Sequence, residues 1–372
     1  MRRVIVNGAN GYVASNLINE LIGRGYDVIA LVRENGKLSA DERIEKALAQ
    51  INGGEFKKPD NLSVYNYSLP DENFSIPESK LKEIFGEEAD YFHFAASLKY
   101  DHKSRKEIFH TNVEGVENSI QMFSKYAREN SRFFLTGTAY SCGKFNGLFE
   151  EKFYPDEDIT AFRNYYEQSK RLAENVVKKH IENNGFNGHV IRLAQVVGDS
   201  RTGETQTDYG IFDFAKRVHN LAKRYPGQTV RINVNPDGIQ NLIPINTAVN
   251  YLTQTVKVEN PPAIMNFVGN TSIKNIHIIN SLNKLLPLRL IPVDHIDHKD
   301  MTPLERLMAV GMSFTGNYKD LNVRFDTTKR DSVIVPETNE INEEAVYKML
   351  EYFIEDVCEK GTKDEPVSIQ NE

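Results

Sequence analysis

The first 32 residues carry a strand, a glycine turn, a helix and a second strand in direct succession. Residues 4–6 are β-branched or apolar, Gly8 and Gly11 follow, and apolar side chains then recur at helical spacing over residues 17–22. Residues 28–32 form a continuous apolar run, which suits a parallel strand that is buried on both faces. This order is a βαβ unit, so the chain is constrained to an α/β fold that opens with parallel strands.

The same alternation continues through the first half of the chain. Apolar runs follow at residues 91–95, 132–135 and 190–193, and helical stretches at residues 113–127 and 165–181 separate them. Strands that alternate with helices in this way predict a doubly wound parallel sheet of the Rossmann type. In such sheets, ligands bind at the carboxyl ends of the strands.

The pattern becomes irregular after the run at residues 190–193. We therefore predict a nucleotide-binding domain over residues 1–193 and a smaller substrate-binding region over residues 194–358 that interleaves with the core. Residues 359–372 are polar and are predicted to be a flexible tail. The loop at residues 199–210 follows the last predicted strand of the first domain and is a candidate substrate lid.

Charge and composition narrow the classes of partner. The formal net charge is -7 and no basic block occurs, which removes the usual electrostatic basis for binding nucleic acid or an anionic membrane. The chain shows neither a signal peptide nor an apolar stretch long enough for a membrane span. Its two cysteines, Cys142 and Cys358, fit a reducing cytoplasm. His295 and His298 stand in an acidic stretch that we interpret as a solvated loop, so we expect no metal.

The glycine turn has the features of a dinucleotide site. Gly8 and Gly11 let the backbone turn sharply and approach a pyrophosphate, whose charge then faces the free amides at the start of the helix. Ala14 stands where a third glycine often serves close packing of helix against strand, and a methyl group is tolerable there. Because the turn follows a strand and opens a helix, we interpret it as a nucleotide site rather than an ordinary turn.

The residue after the second strand indicates which dinucleotide is bound. An acidic residue there would hold the adenosine ribose and repel a 2′-phosphate, but this chain has Arg33. A guanidinium pairs well with a phosphate, which favours NADP over NAD. Glu34 could instead turn toward the ribose, and Arg33 could simply end a solvated strand. Lys37 and Arg43 lie close enough in the sequence to add positive charge.

A second group of residues carries acid–base chemistry. Tyr166 and Lys170 are spaced i to i+4, so on a helix they project from the same face. An adjacent ammonium favours the phenolate form of a tyrosine, which makes Tyr166 a candidate general acid for carbonyl reduction. Tyr165 is a competing phenol, but it points well away from Lys170 around the helix. An ordinary solvated helix face is the alternative interpretation.

Two hydroxyls lie at the end of the apolar run before this helix. Thr136 and Thr138 fall at the carboxyl edge of a predicted parallel strand, where ligands bind in such sheets. Either hydroxyl could hold a substrate carbonyl oxygen while Tyr166 donates its proton. Threonine also simply favours strands, so position alone does not choose between the two.

Six motifs occur in the order seen in extended short-chain dehydrogenases/reductases, and the chain resembles that family. It is most similar to the branch that contains fatty acyl reductases and thioester reductase domains, through VVGDSRTGE (196–204), NLIPIN (241–246) and RFDTT (324–328). The resemblance is good as far as the last of the six motifs and thin beyond it. The six are VNGANGYVAS (6–15), FHFAAS (92–97), TNVEGVENSI (111–120), LTGTAYSCG (135–143), YYEQSKRLAE (165–174) and IRLAQVVGDSRTG (191–203).

The resemblance implies a Rossmann fold, an NADPH cofactor and a set of site residues. Thr138 rather than Thr136 would be the catalytic hydroxyl, with Tyr166 as the proton donor and Lys170 as its partner. Asn112 falls at the family's helix asparagine, which either supports the lysine through a water or fastens the helix to the sheet. The implied cofactor-binding residues are Gly8, Asn10, Gly11, Tyr12 and Val13 at the pyrophosphate, Arg33 at the 2′-phosphate, Ala95 and Ala96 beside the adenosine, and Lys170 at the nicotinamide ribose.

The sequence departs from the family pattern at two places. The family often has an acidic residue after its third strand to hold the adenine amino group, whereas VYNYSLP (64–70) offers Asn66 or Ser68. A proline often follows the strand arginine in the family, whereas Leu193 stands there. We therefore expect a nicotinamide pocket of different shape.

These observations favour an NADPH-dependent reductase that transfers hydride to a carbonyl. The carbonyl would belong to a ketone, an aldehyde or an acyl thioester, including acyl chains linked to a carrier protein or to CoA. A nucleotide-sugar epimerase or dehydratase of the extended family shares the Thr-Tyr-Lys set, but it usually recycles a bound NAD, which Arg33 disfavours. A non-catalytic NADP-sensing protein would not need Tyr166 and Lys170 together. The helices at residues 113–127 and 165–181 can form a homodimer interface in this family.

Overall fold

A computed structural model of the chain describes residues 2–311, 323–338 and 341–360. Its strands are mostly short and apolar, as parallel strands covered on both faces require. The strands, numbered β1 to β15 in chain order, are Arg3–Asn7, Val28–Val32, Leu62–Asn66, Ala89–His93, Arg132–Thr138, Gly147–Phe149, Gly188–Leu193, Gln195–Val197, Thr229–Asn233, Ile239–Gln240, Leu242–Pro244, Ile264–Phe267, Ile273–Lys274, Arg289–Val293 and Val323–Phe325.

The helices connect these strands and cover the sheet. A π-helical segment, His110–Glu114, joins the fourth helix to the fifth, and a second one, Phe353–Lys360, extends the last. The α-helices, numbered α1 to α12, are Tyr12–Gly23, Ala40–Ile51, Glu78–Ile84, Arg105–Phe109, Gly115–Tyr126, Tyr165–Asn184, Ile211–Arg224, Ile245–Lys257, Asn275–Leu285, Pro303–Gly311, Thr328–Asp331 and Glu343–Tyr352.

Seven strands form one parallel sheet in the order β12-β7-β5-β4-β1-β2-β3. The chain builds outward from β1 in one direction through β2 and β3, and then returns to β4 and builds in the other direction. The strand order therefore reverses between β1 and β4, and this is where doubly wound sheets bind ligands. The predicted Rossmann-like fold is confirmed.

Alternate residues of each strand enter opposite cores. Val4 and Val6 of β1 pack in a core with residues of α1, α2 and α8, whereas Ile5 packs on the other face with residues of α3, α5 and α6. This two-sided burial explains why residues 4–6 of β1 and the whole of β2 are continuous apolar runs.

The residues after β7 build a second core and also return to the main sheet. Apolar side chains of α7, α9, α12, β9 and β14 pack together there. Strand β12 pairs with β7 at the edge of the main sheet, where Ile264 lies beside Val190. Of the predicted tail at residues 359–372, residues 361–372 lie outside the described residues. Within the described part of the chain, the helices are all too short or too polar to span a bilayer.

Candidate active site

The glycine turn lies at the carboxyl end of β1 and opens a large cavity. Gly8 has φ 60, and a Cβ added there would come within 2.8 Å of the Ala95 backbone nitrogen. Gly11 is the N-cap of α1, and its N–H donates to the Gly8 carbonyl at 2.9 Å. Both positions bring bare backbone to the cavity, as binding of a phosphate group requires.

The predicted cofactor-binding residues converge on this cavity of about 1410 Å³. Asn7 was not among the predicted site residues. It joins the end of β1 to the segment after β4. Its side-chain oxygen accepts hydrogen bonds from the backbone N–H groups of Phe94 and Ala95, at 2.8 and 3.0 Å. The lining includes Gly8, Asn10, Gly11, Tyr12, Val13, Arg33, Ala95, Ala96 and Lys170.

Tyr12 connects the glycine turn to the candidate lid. Its hydroxyl donates to the Val197 carbonyl at 3.0 Å and is hydrogen-bonded to the side chain of Thr205. Burial raises the pKa of Tyr12 above its ordinary value. The phenol is therefore neutral and fixes the loop at residues 199–210 beside the start of α1.

Two arginines lie together at the adenosine end of the cavity. Arg33 and Arg43 both line it, and an N–H of the Arg43 guanidinium donates to the Arg33 carbonyl oxygen. Burial and the charge of Arg33 lower the pKa of Arg43 below its ordinary value. Arg33, Glu34 and Lys37 are all exposed, and of these three Arg33 lines the cavity. The sequence left the direction of Arg43 open, and the structure turns it toward the same space as Arg33.

The three predicted catalytic side chains meet where β5 ends and α6 begins. The Thr138 hydroxyl is hydrogen-bonded to the Tyr166 phenol, and its oxygen accepts from the backbone N–H of Tyr140 at 3.2 Å. Lys170 lies one helical turn beyond Tyr166, with its Nζ 5.9 Å from the phenol ring centroid. Lys170 Nζ also donates to the Thr136 carbonyl oxygen at 3.4 Å.

Burial dominates the titration of both α6 groups. It raises the pKa of Tyr166 above its ordinary value, which the hydrogen bond from Thr138 only partly opposes. It lowers the pKa of Lys170 from 10.5 to about 8, against the favourable charge of Glu174. Tyr166 therefore carries its proton at neutral pH, and Lys170 is close to the point at which it loses its own.

Replacing Lys170 with methionine is expected to stabilise the unliganded protein at pH 7 by about 1–3 kcal/mol, since a buried ammonium is removed. In the wild type, the unfolded chain binds more protons than the folded chain between pH 8 and 10.5, so its stability rises with pH across that range. The variant lacks this rise. Urea unfolding from pH 7 to 10 measures both effects, with exposed Lys178→Met on the same helix as the control. Equal pH dependence of the free energy of unfolding in wild type and Lys170→Met would contradict the lowered pKa of Lys170.

Tyr165, the competing phenol, has an aromatic environment of its own. Its ring lies edge-to-face with His102 and Phe109, at centroid distances of 5.0 and 6.1 Å, and the Arg105 guanidinium lies 5.5 Å from its centroid. Tyr166 lines the cavity instead. The helical spacing argument therefore selected the tyrosine that lies beside Lys170.

Asn112 fastens helix α6 to the loop after β4. Its side-chain oxygen accepts from the Ser97 N–H at 2.7 Å, and its amide donates to the Ser97 carbonyl and the Ser169 hydroxyl, at 3.0 and 2.9 Å. These contacts are of the fastening kind, and both roles that the resemblance left open stay predictions. The π-helical segment at residues 110–114 carries Asn112 into this position.

A buried ion pair lies behind the candidate catalytic side chains. Glu174 and Arg192 have fully buried side chains and are joined by hydrogen bonds of 2.9 and 2.7 Å. The Ser141 hydroxyl donates to Glu174 at 2.6 Å. The pair therefore fastens α6 to β7 and to the turn after Thr138. One sequence feature could have indicated the position of Glu174, because it lies one helical turn beyond Lys170 on the same face of α6.

The far end of the cavity has both apolar and polar lining residues, the polar ones including Lys216, Asn220, Gln240 and Asn275. It extends from the candidate catalytic side chains between α7, α9 and the C-terminal helix, and residues 204–210 of the candidate lid line it as well. Its apolar lining there includes Phe214, Val234, Ile278, Ile279 and Val357.

The cavity fits a nicotinamide dinucleotide. Gly8 lets the turn lie against the backbone of Ala95, where a Cβ would clash, and α1 begins without a side-chain cap, which leaves its first amides for a phosphate. Thr136 is one of the residues that line the cavity, and its Oγ1 is buried without a hydrogen-bond partner among the described residues. Such a group is satisfied when a ligand supplies the partner.

No group of three or more His, Cys, Asp or Glu residues stands together as a metal site in the described ranges. Burial raises the pKa of the Cys142 thiol to about 12, which suits a packing role rather than a nucleophile.

The fold and the residues at the cavity place the chain among the extended short-chain dehydrogenases/reductases, a class of NAD(P)-dependent oxidoreductases. Within that class, the model of an NAD-binding family described as male sterility protein matches residues 6–252, and the chain belongs to this family. The resemblance found in the sequence motifs is confirmed.

Known proteins with similar sequences or folds include reductases and an epimerase. Cinnamoyl-CoA reductase from Medicago truncatula is 28% identical over 204 residues, which cover 52% of this chain and 58% of that protein. The chain spans about half the length of the curated relatives it matches. The terminal R domain from the myxalamid PKS-NRPS pathway has a TM-score of 0.74 at 16% identity, over 95% of this chain and 91% of that chain. UDP-glucuronic acid 4-epimerase from Bacillus cereus has a TM-score of 0.66 at 12% identity, over 95% and 96%. These two structures establish likeness of fold.

Proposed function

We propose that this protein reduces a carbonyl group with NADPH by a Thr-Tyr-Lys mechanism. One observation carries the proposal: Thr138, Tyr166 and Lys170 meet in the same cavity as the glycine turn and the Arg33–Arg43 pair. A protein that only sensed NADP would need the turn and the arginines but not the buried lysine beside the tyrosine. The test is NADPH oxidation in the presence of acyl thioesters, aldehydes and ketones.

The side chains divide the acid–base work between them. Thr138 and Tyr166 hydrogen-bond the substrate carbonyl oxygen, and Tyr166 donates its proton to that oxygen as negative charge develops there. The Lys170 ammonium stabilises the phenolate that remains, and the same group would hold the nicotinamide ribose. The bound cofactor supplies the hydride. Gly8 and Gly11 would let the backbone come close to the pyrophosphate, and the first amides of α1 would donate to it.

The apolar residues in the lining of the far end of the cavity favour a substrate with an apolar body. Phe214, Ile278 and Ile279 would bury an acyl or aryl group, while the carbonyl remains at Thr138 and Tyr166. An acyl chain carried as a thioester on CoA or on a carrier protein fits this arrangement. Similarity to a cinnamoyl-CoA reductase supports that choice.

Replacing Arg33 with alanine is expected to raise the Kd for NADPH about 10- to 100-fold, because a charge-assisted hydrogen bond to the 2′-phosphate is lost. The Kd for NADH is expected to stay unchanged. Fluorescence titration with both dinucleotides measures the effect, and exposed Lys37→Ala on the same loop is the control. An equal rise in the Kd for NADPH and the Kd for NADH would show that Arg33 does not bind the 2′-phosphate.

A nucleotide-sugar epimerase is the second candidate, because the fold is similar to that of UDP-glucuronic acid 4-epimerase. Arg33 and Arg43 argue against it, since such enzymes usually retain NAD. Purified protein that carries bound NAD and converts a sugar nucleotide would favour this candidate over carbonyl reduction.

We further propose a cytoplasmic location and a homodimer. Both cysteines are free thiols, as in proteins of reducing compartments. Helices α5 and α6 lie side by side and are joined by Glu117 and His180 at 3.0 Å, so a second copy could pair with both helices at once.

A further inference from the structure

Tyr67 follows β3, at the place where the family often has an acidic residue that holds the adenine amino group. The two side chains considered there were Asn66 and Ser68. Asn66 is exposed, and its side-chain oxygen accepts from the Glu34 backbone N–H at 3.0 Å. Tyr67 is only 5% exposed and lines the cavity, and its hydroxyl accepts a hydrogen bond from the Gly8 N–H at 3.2 Å.

A strained turn holds the ring of Tyr67 in place. Asn73, Phe74 and Ser75 have φ values of 52, 55 and 55, a region that residues other than glycine rarely adopt. This conformation buries Phe74 completely, with its ring edge-to-face on Tyr67 at a centroid distance of 5.6 Å. The Phe74 carbonyl accepts from the Ser68 N–H at 2.9 Å, which closes the turn. Such strain persists where the surroundings fix one conformation.

The hydroxyl of Tyr67 is neutral although two cations lie nearby. Burial raises its pKa to about 12, and the Gly8 hydrogen bond and the charges of Arg33 and Arg43 only partly oppose this. The oxygen therefore accepts from Gly8 and still carries a proton to donate. A carboxylate at the same place would also accept from Gly8, but its charge would neutralise the two arginines.

We propose that Tyr67 is a positioning residue of the dinucleotide site: it fixes the Gly8 amide, presents its hydroxyl proton to the adenosine half of the cofactor, and leaves the Arg33–Arg43 charge for the 2′-phosphate. This inference rests on the cofactor part of the proposed function. It concerns the part of the cofactor that NADPH and NADH share, because Gly8 belongs to the pyrophosphate-binding turn.

Tyr67→Phe tests the proposal, because it removes one oxygen and keeps the ring against Phe74. The Kd for NADPH and the Kd for NADH are both expected to rise about 5- to 15-fold, so that their ratio is preserved. The affinity for 2′,5′-ADP is expected to fall by the same factor. The unliganded unfolding temperature is expected to change by no more than about 2–4 °C, which separates positioning from a loss of structure. Fluorescence titration and competition give the three affinities.

Tyr65→Phe is the matched control. Tyr65 lies two residues earlier in β3, and its hydroxyl donates to Glu83 at 3.0 Å at the surface. Kd values for Tyr67→Phe equal to those for Tyr65→Phe would overturn the inference while leaving the proposed function in place. Loss of NADPH affinity alone would also overturn it, since the hydroxyl would then serve the 2′-phosphate. A wild type that binds neither dinucleotide would contradict the proposed function, and this inference with it.

Discussion

Tyr166→Phe is expected to lower kcat for carbonyl reduction by about 10²- to 10⁴-fold, because the variant has lost its general acid. Its Kd for NADPH is expected to stay unchanged, since the phenol is hydrogen-bonded to Thr138 and is proposed to contact the substrate rather than the cofactor phosphates. Steady-state NADPH oxidation and a fluorescence titration of NADPH measure the two quantities. Loss of turnover together with loss of cofactor binding would point instead to a damaged site.

Tyr165→Phe provides the control on the adjacent residue. Its ring contacts with His102 and Phe109 survive the substitution, because they involve the ring and not the hydroxyl. We expect kcat close to that of the wild type. A large loss of kcat in Tyr165→Phe, with little loss in Tyr166→Phe, would show that Tyr165 and not Tyr166 is the proton donor.

Glu174→Gln is expected to lower the free energy of unfolding by about 3–5 kcal/mol. The substitution keeps the shape of the side chain but leaves the Arg192 guanidinium buried without a counter-charge. Urea unfolding measures this loss directly. Because Glu174 is hydrogen-bonded to Ser141 in the turn that follows Thr138, we also expect kcat to fall in the fraction of the protein that remains folded.

Glu182→Gln on the same helix is the matched control. Glu182 pairs with Lys178 at 3.7 Å, and both side chains are exposed, so this substitution is expected to cost less than about 1 kcal/mol. Equal destabilisation by Glu174→Gln and Glu182→Gln would refute the structural role of the buried pair.

The sequence predicted those parts of the molecule that depend on local periodicity. Residues 4–6 and 28–32 are apolar without interruption because the sheet is covered on both faces. The i to i+4 spacing of Tyr166 and Lys170 is enough to predict that they share one face of a helix, because this depends on no contact with a distant segment. Thr138 could be selected over Thr136 only through the family resemblance, since both end the same strand.

The remaining site residues depend on contacts between distant segments. Asn7 reaches Ala95 because β1 lies beside β4, and no local pattern encodes that pairing. Tyr67 reaches Gly8 from the end of β3, and the turn that supports it has an unusual backbone conformation. The substrate end is lined from α7, α9 and the C-terminal helix, whose packing the irregular pattern after residue 193 did not indicate.

The most direct test of the central claim is NADPH oxidation by wild type and Tyr166→Phe, each mixed with a panel of acyl thioesters, aldehydes and ketones. We predict that the wild type oxidises NADPH with at least one carbonyl substrate that has an apolar body. Tyr166→Phe is predicted to bind NADPH and leave it unoxidised. Turnover that survives in Tyr166→Phe, or a wild type that binds NADPH and oxidises it with no carbonyl compound, would contradict the Thr-Tyr-Lys reductase proposed here.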